Sequence, residues 1–152
     1  MKQRIQWKPL LICLAIPLAV GGLSALITNN SMEAFAALRQ PPLSPPGWVF
    51  PVVWTILYVL MGLACYRFRA DAVSVRLYAG QLLLNFLWPV LFFSAAVRLL
   101  ALIELLLLWG LVLWLLLRCY DRNRSAFWLL VPYQLWLTFA AYLNFGVLLL
   151  NM

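Results

Sequence analysis

Hydrophobic positions along this chain fall into five long blocks, and polar residues are pushed into the short segments between them. Residues 9–28, 47–66, 77–97 and 126–150 contain no charged side chain, and 99–117 contains one, Glu104. About 20 helical residues cross a hydrocarbon core of roughly 30 Å, so each block is long enough to span a bilayer. A transmembrane barrel would instead show short stretches alternating apolar and polar. The pattern predicts an all-α integral membrane protein, with residues 1–152 forming a single domain of five transmembrane helices. The first block follows a basic segment, but Thr28-Asn29-Asn30 is not a small-residue cleavage site, so it is expected to stay as a span.

Between the first two blocks, residues 29–46 form the one long loop. In its tail, Pro41-Pro42-Leu43-Ser44-Pro45-Pro46-Gly47, each proline lacks an N–H and constrains the residue before it, so the tail should run extended across the mouth of the bundle. Upstream, Ser31 through Leu38 has the makings of a short helix, with Ser31 as cap and Glu33 in its first turn. Pro89, near the middle of the third block, should bend that helix.

Composition, 66% hydrophobic, leaves no soluble alternative. The net charge of +7 is better explained by topology than by nucleic acid, and no nucleic-acid partner is expected. Lys2, Arg4, Lys8, Arg67, Arg69, Arg76, Arg118, Arg122 and Arg124 all fall on one side if five helices alternate. Only Arg39 and Arg98 fall on the other. That asymmetry predicts a cytoplasmic N-terminus and an external C-terminus. Without histidine, His-based acid–base work and His ligation of metal or haem are excluded. Cys13, Cys65 and Cys119 are scattered and read as small buried hydrophobes, neither a disulfide framework nor a metal site.

Candidate chemistry lies inside the blocks. Gln81, Asn85, Trp88 and Phe92 share one face of the third helix by their spacing of four, three and four. Tyr133, Trp136, Ala140 and Asn144 share one face of the fifth, and Trp54 and Tyr58 are i, i+4 neighbours on the second. Polar side chains facing lipid are costly, so these stripes should point inward. An interior of this kind suits a flat, largely apolar ligand with polar edges. Alternatively the amides bridge helices by hydrogen bonds. Trp7, Trp48, Tyr66, Tyr120 and Trp128 lie near block ends, where interfacial anchoring accounts for them. Trp109 and Trp114 lack polar companions in sequence and should pack toward lipid. Glu104 is an intramembrane acid, expected to reach the interface or Arg98. A lone carboxyl with no partner acid or nucleophile is no hydrolytic constellation, and no Gly-rich phosphate loop is present.

Three stretches carry a family resemblance. Pro41 to Tyr58, with Pro45, Pro46, Gly47, Trp48, Phe50, Pro51, Trp54 and Tyr58, resembles the loop and second helix of the translocator protein family. This family is also called tryptophan-rich sensory proteins or peripheral-type benzodiazepine receptors. The run from Gln81 to Phe93 resembles its third helix, and Asp121-Arg122 with Trp128 to Asn144 resembles its fifth. The resemblance implies a five-helix bundle, usually a homodimer among membrane lipids, whose pocket opens toward the long loop. It further implies that porphyrins or haem, and drug ligands of the benzodiazepine type, bind there with no cofactor required. Pocket tryptophans then fall on Trp54 and Trp136, flanked by Pro45, Phe50, Tyr58, Trp88, Phe92 and Ala140. Phe35, where the family often has a lid tyrosine, and Asn85, on the third-helix stripe, complete the expected ligand-binding set; no metal site is expected.

Departures from the family pattern matter. Ala34-Phe35 and Gln40 replace the polar lid positions common in the family. The C-terminal residues 145–152 lack the sterol-recognition tyrosine and basic residue of animal members, so tight sterol binding is not expected. Residues 63–69 and 115–122 match only a loose sterol pattern. A short chain of this type is expected in a bacterial inner membrane. An alternative function within the resemblance is light-dependent porphyrin degradation, with Trp54 and Trp136 as the redox-active residues. A conventional secondary transporter is disfavoured, since five helices do not divide into equal repeats.

Overall fold

A computed structural model describes residues 4–152; Lys2, counted above among the basic residues, lies outside them. Six helices are present: α1 (Trp7–Thr28), α2 (Met32–Ala36), α3 (Val49–Phe68), α4 (Ala72–Pro89), α5 (Arg98–Arg122) and α6 (Arg124–Leu150). All but α2 are long and apolar enough to cross a membrane. No strand occurs among the described residues. The five long helices form a closed ring in the order α1, α3, α6, α5, α4 and back to α1. Consecutive membrane helices α3 and α4 therefore touch little, and α6 sits between α3 and α5.

Helix ends reach beyond the uncharged blocks for identifiable reasons. α4 begins at Ala72 rather than 77, because Asp71 caps it, accepting from Val73 N at 3.3 Å and Ser74 Oγ at 2.7 Å. α5 continues past 117 to Arg122, since charged side chains at a helix end can sit in the headgroup region. One residue, Asn123, joins α5 to α6, and its Oδ1 accepts from Ala126 N. Its Nδ2 donates to Arg67 O at 3.0 Å, tying this turn to the end of α3.

At that same end, the Arg118 guanidinium grips Asp71 through Nε and Nη2, both at 2.9 Å. The Arg118 pair and the Ser74 hydroxyl hold the Asp71 carboxyl far below the usual carboxylate range. A depressed folded-state pKa stabilises the fold at pH values above the unfolded pKa, near 4, and that contribution fades as pH falls below it. Asp71→Asn is therefore expected to lower the melting temperature at pH 7, and the gap to wild type should narrow on acidification below about pH 4. A gap independent of pH, measured by thermal melting in detergent, would assign the effect to altered hydrogen bonding rather than to the carboxylate's charge, since asparagine also caps helices.

At the opposite end, the expected extended strap contains a turn. Ser44 N donates to Pro41 O at 3.3 Å, and Leu43 sits at φ 67°, a left-handed conformation unusual for leucine. The strap is fastened to α6. Asn151 accepts from Arg39 N at 3.0 Å and donates to Arg39 O at 2.9 Å, while Tyr142 OH donates to Pro42 O at 2.7 Å. Ser31 precedes α2 without a side-chain capping bond, so the expected cap is absent.

Candidate functional site

Pro89 has no N–H to donate to the Asn85 carbonyl, and α4 ends there. A π-turn, Val90–Ser94, follows. Such wide turns recur at functional sites. Here the turn sets two successive rings, Phe92 and Phe93, edge to face with centroids 5.0 Å apart. Trp88 stacks on Phe92 at 5.3 Å, and Phe35 of α2 packs on Phe92 at 5.5 Å and Phe93 at 5.0 Å. Across from them, Phe50 of α3 meets Trp136 of α6 at 6.1 Å.

These rings close an apolar box. Phe35, Phe50, Trp54, Trp88, Phe92, Trp136 and Ala140 all line it. So seven of the ten expected site residues converge, from α2, α3, α4 with its π-turn, and α6. The box is shut, however: its cavity is about 20 Å³. A porphyrin-sized pocket was expected, and in this conformation the ring of Phe35 and its neighbours fill the space. Trp136 Nε1 is buried without an acceptor. Trp88 Nε1, by contrast, reaches the Asn144 side-chain oxygen at 3.1 Å when the Asn144 amide is oriented to suit its neighbours.

The other three expected residues stand elsewhere. Asn85 is buried and fully engaged: its Oδ1 accepts from Tyr58 OH at 2.8 Å and its Nδ2 donates to Tyr133 OH at 2.7 Å. Tyr133 OH in turn donates to Gln81 Oε1 at 2.8 Å. The amide stripe thus bridges α3, α4 and α6, because an amide in an apolar interior gains most by satisfying its neighbours. Asn85 is not offered to a ligand in the box. Tyr58 props the wall, stacked under Trp54 at 5.6 Å. Pro45 lies in the strap and lines neither this box nor the cavity beside it; Pro41 is the strap proline that is buried, against Gly146.

A second cavity, of about 290 Å³, lies beside the box. It shares Phe50, Trp54, Trp88 and Phe93 with the box, and its far wall is α1, at Gly21, Ser24, Ala25 and Thr28. Sequence reasoning gave α1 no part in the site. The signal that could have found it is the run of small and hydroxyl side chains at Gly21, Ser24, Ala25 and Thr28.

Two further expectations are corrected. Trp109 has a polar companion after all: its Nε1 donates to Thr138 Oγ1 at 2.9 Å across α5 and α6. Glu104 reaches neither Arg98 nor an interface; it is buried, with both carboxyl oxygens unpartnered. The one ion pair among the described residues is Arg118–Asp71. Gly80 faces Leu111 within the same chain, whereas Ala15, Ala19 and Gly22 on α1 and Ala95 after the π-turn are exposed small residues. Trp7, Trp48 and Trp128 are exposed near helix ends, where interfacial anchoring places them. No cluster with metal-ligating composition occurs among the described residues, and all three cysteines are free.

Comparison with known proteins agrees with this architecture. The TspO/MBR family model matches residues 13–150. The tryptophan-rich protein TspO of Chlorobaculum tepidum is 37% identical over 150 residues, covering 93% of this chain and 95% of that protein. The translocator protein of Bos taurus is 36% identical over 148 residues, covering 91% and 88% respectively. The tryptophan-rich sensory protein of Cereibacter sphaeroides is 36% identical over 122 residues, 78% of this chain and 77% of its own. A match running through all five membrane helices, at this identity and in chains of similar length, means that this integral membrane protein belongs to the TspO/MBR family.

Proposed function

We propose that this protein acts as a receptor or translocator for flat, mainly apolar molecules of the tetrapyrrole class, held in the aromatic box. The observation that carries the proposal is the convergence of aromatic side chains from four parts of the chain on one apolar space, among them Trp136, whose buried Nε1 has no acceptor. Stacked aromatic pairs contribute about 0.5–1.5 kcal/mol each beyond area burial, which suits a flat conjugated ligand. A buried N–H without an acceptor favours a ligand with a polar edge. The names of the relatives, translocator protein and tryptophan-rich sensory protein, are consistent with such a role.

Because the box is shut, binding requires displacement of Phe35 and rotation of rings shared with the α1-side cavity. The α2 segment is the mobile cover in this scheme, while the strap stays pinned to α6 by Asn151 and Tyr142. The ligand is porphyrin or haem with no resident cofactor. The protein is a homodimer in a bacterial inner membrane, with its N-terminus cytoplasmic.

Titration with metal-free protoporphyrin, followed by its absorbance and emission, tests the reading. Trp136→Ala and Trp54→Ala are expected to raise Kd about tenfold each, the equivalent of one lost stacking contact and its burial. Trp114→Ala, whose ring is exposed on α5, should leave Kd unchanged. Haem should bind about as well as the metal-free ring, since the chain has no His to ligate iron. Equal Kd in wild type and both box variants, with folding intact, would refute the assignment. Running the titration in light and in darkness reads out the alternative: Trp-dependent loss of porphyrin only in light would mark photo-oxidation.

A further inference from the structure

At the end of the bundle away from the box, the tips of α3, α4, α5 and α6 surround a polar cleft of about 520 Å³. Three charged residues line it: Arg67, Asp71 and Arg122. The Asp71 carboxylate is consumed by Arg118, Ser74 and the α4 backbone, so that ion pair contributes no net charge. Arg67 and Arg122 are each charged, and neither makes an ion pair among the described residues. The neighbouring arginines are engaged differently. Arg69 lies over the Tyr66 ring at 4.0 Å and Arg124 over Tyr120 at 3.6 Å. Asp121 faces an adjacent recess that Arg118 and Arg122 also line, and it forms an ion pair with neither arginine of the cleft. The cleft therefore holds two unpaired guanidinium groups and no free carboxylate.

We propose that this cleft binds a phosphate group, supplied by the headgroup of an anionic lipid in the adjoining leaflet. Guanidinium forks match phosphate oxygens in paired hydrogen bonds, where an ammonium offers only a point charge. The turns that build the cleft lie where the apolar lengths of α3 to α6 end, at headgroup depth, so a lipid phosphodiester is held there at high local concentration. Placement of basic residues by topology alone accounts for their being at this end. It does not account for a cleft in which Arg67 and Arg122 stay unpaired while Asp71 is withdrawn by Arg118. The proposal is independent of whatever ligand occupies the aromatic box.

The test is native mass spectrometry of the full-length protein in detergent, titrated with phosphatidylglycerol or with zwitterionic phosphatidylcholine. Wild type should retain phosphatidylglycerol preferentially. The double substitution Arg67→Gln, Arg122→Gln should weaken that retention about 30-fold, each cation near an anionic surface contributing about a factor of five. Arg76→Gln, on the same end but outside the cleft, should weaken it far less than either cleft substitution, since Arg76 does not line the site. Folding should persist, because Asn123 bonds the Arg67 carbonyl and not its side chain. Should the double variant melt early, Arg67→Lys with Arg122→Lys supplies the second measurement: charge is kept and the forks are lost, so retention should fall between wild type and the Gln pair. A parallel arm adds inorganic phosphate to protein in phosphatidylcholine nanodiscs. Arginine-dependent binding of phosphate without phosphatidylglycerol preference would keep the site and name free phosphate as its source. Retention insensitive to the cleft arginines, or equally sensitive to Arg76, would overturn the proposal.

Discussion

Gly62→Ala is expected to destabilise the bundle by about 3 kcal/mol, at the upper end of what one inserted methyl group costs a packed core. A Cβ at Gly62 would lie 2.7 Å from the Cys13 carbonyl oxygen and 2.8 Å from Leu14 Cα. Both are backbone atoms of α1, so no rotamer change relieves the clash and α1 must move off α3. The displacement would also widen the α1-side cavity next to Trp54. Gly22→Ala is the control, since a Cβ there meets nothing within 4 Å. That variant should be neutral or slightly stabilising, because alanine is the better helix former. Thermal melting of both variants in one detergent checks the pair; equal melting temperatures would show that α1 and α3 are not held at this contact.

Asn85→Ala should cost about 2 kcal/mol and weaken ligand binding together with stability. The substitution leaves Tyr58 OH buried without its acceptor and removes a donor to Tyr133 OH. An orphaned buried polar group costs about 1–3 kcal/mol. Hydrogen bonds between membrane helices average nearer 0.6 kcal/mol, because the separated helices find other partners, so the lower half of that range applies. The functional consequence runs through Tyr58. Once its hydroxyl is freed, the ring under Trp54 loses its anchor and the box loses a fixed wall. Tyr58→Phe removes the same anchor but leaves only Asn85 Oδ1 unpaired, so it should cost less stability and weaken porphyrin binding in the same direction. If Asn85→Ala lowers stability while affinity stays at the wild-type value, Asn85 is a helix bridge with no role in holding the wall.

Different parts of this molecule were legible to different degrees. The number of membrane helices followed from block length and lack of charge, because an apolar stretch of about 20 residues has no other stable place. Helix ends were less legible. A charge-free window stops at Arg76, whereas the helix is started by Asp71, whose carboxylate is held by Arg118, 47 residues away in sequence. Of the site, Trp54, Trp88, Phe92, Trp136 and Ala140 were readable, since a helix has a fixed period and polar or aromatic stripes must turn inward. Asn85 belongs to the same stripe but meets other polar side chains, a distinction that spacing does not contain.

By itself, then, the chain's order of residues determined the five-helix membrane architecture, the basic end of the bundle and the inward faces. These depend on transfer between water and hydrocarbon and on local periodicity, both set residue by residue along the chain. Tertiary structure alone decided that α1 walls a cavity beside the box, and that Gly62 lies against the α1 backbone with no room for a Cβ. It alone decided that Phe35 and its neighbours close the box, and that Glu104 finds no partner. Each of these depends on which helices become neighbours in the ring, and that order is settled by side-chain packing between segments distant in sequence.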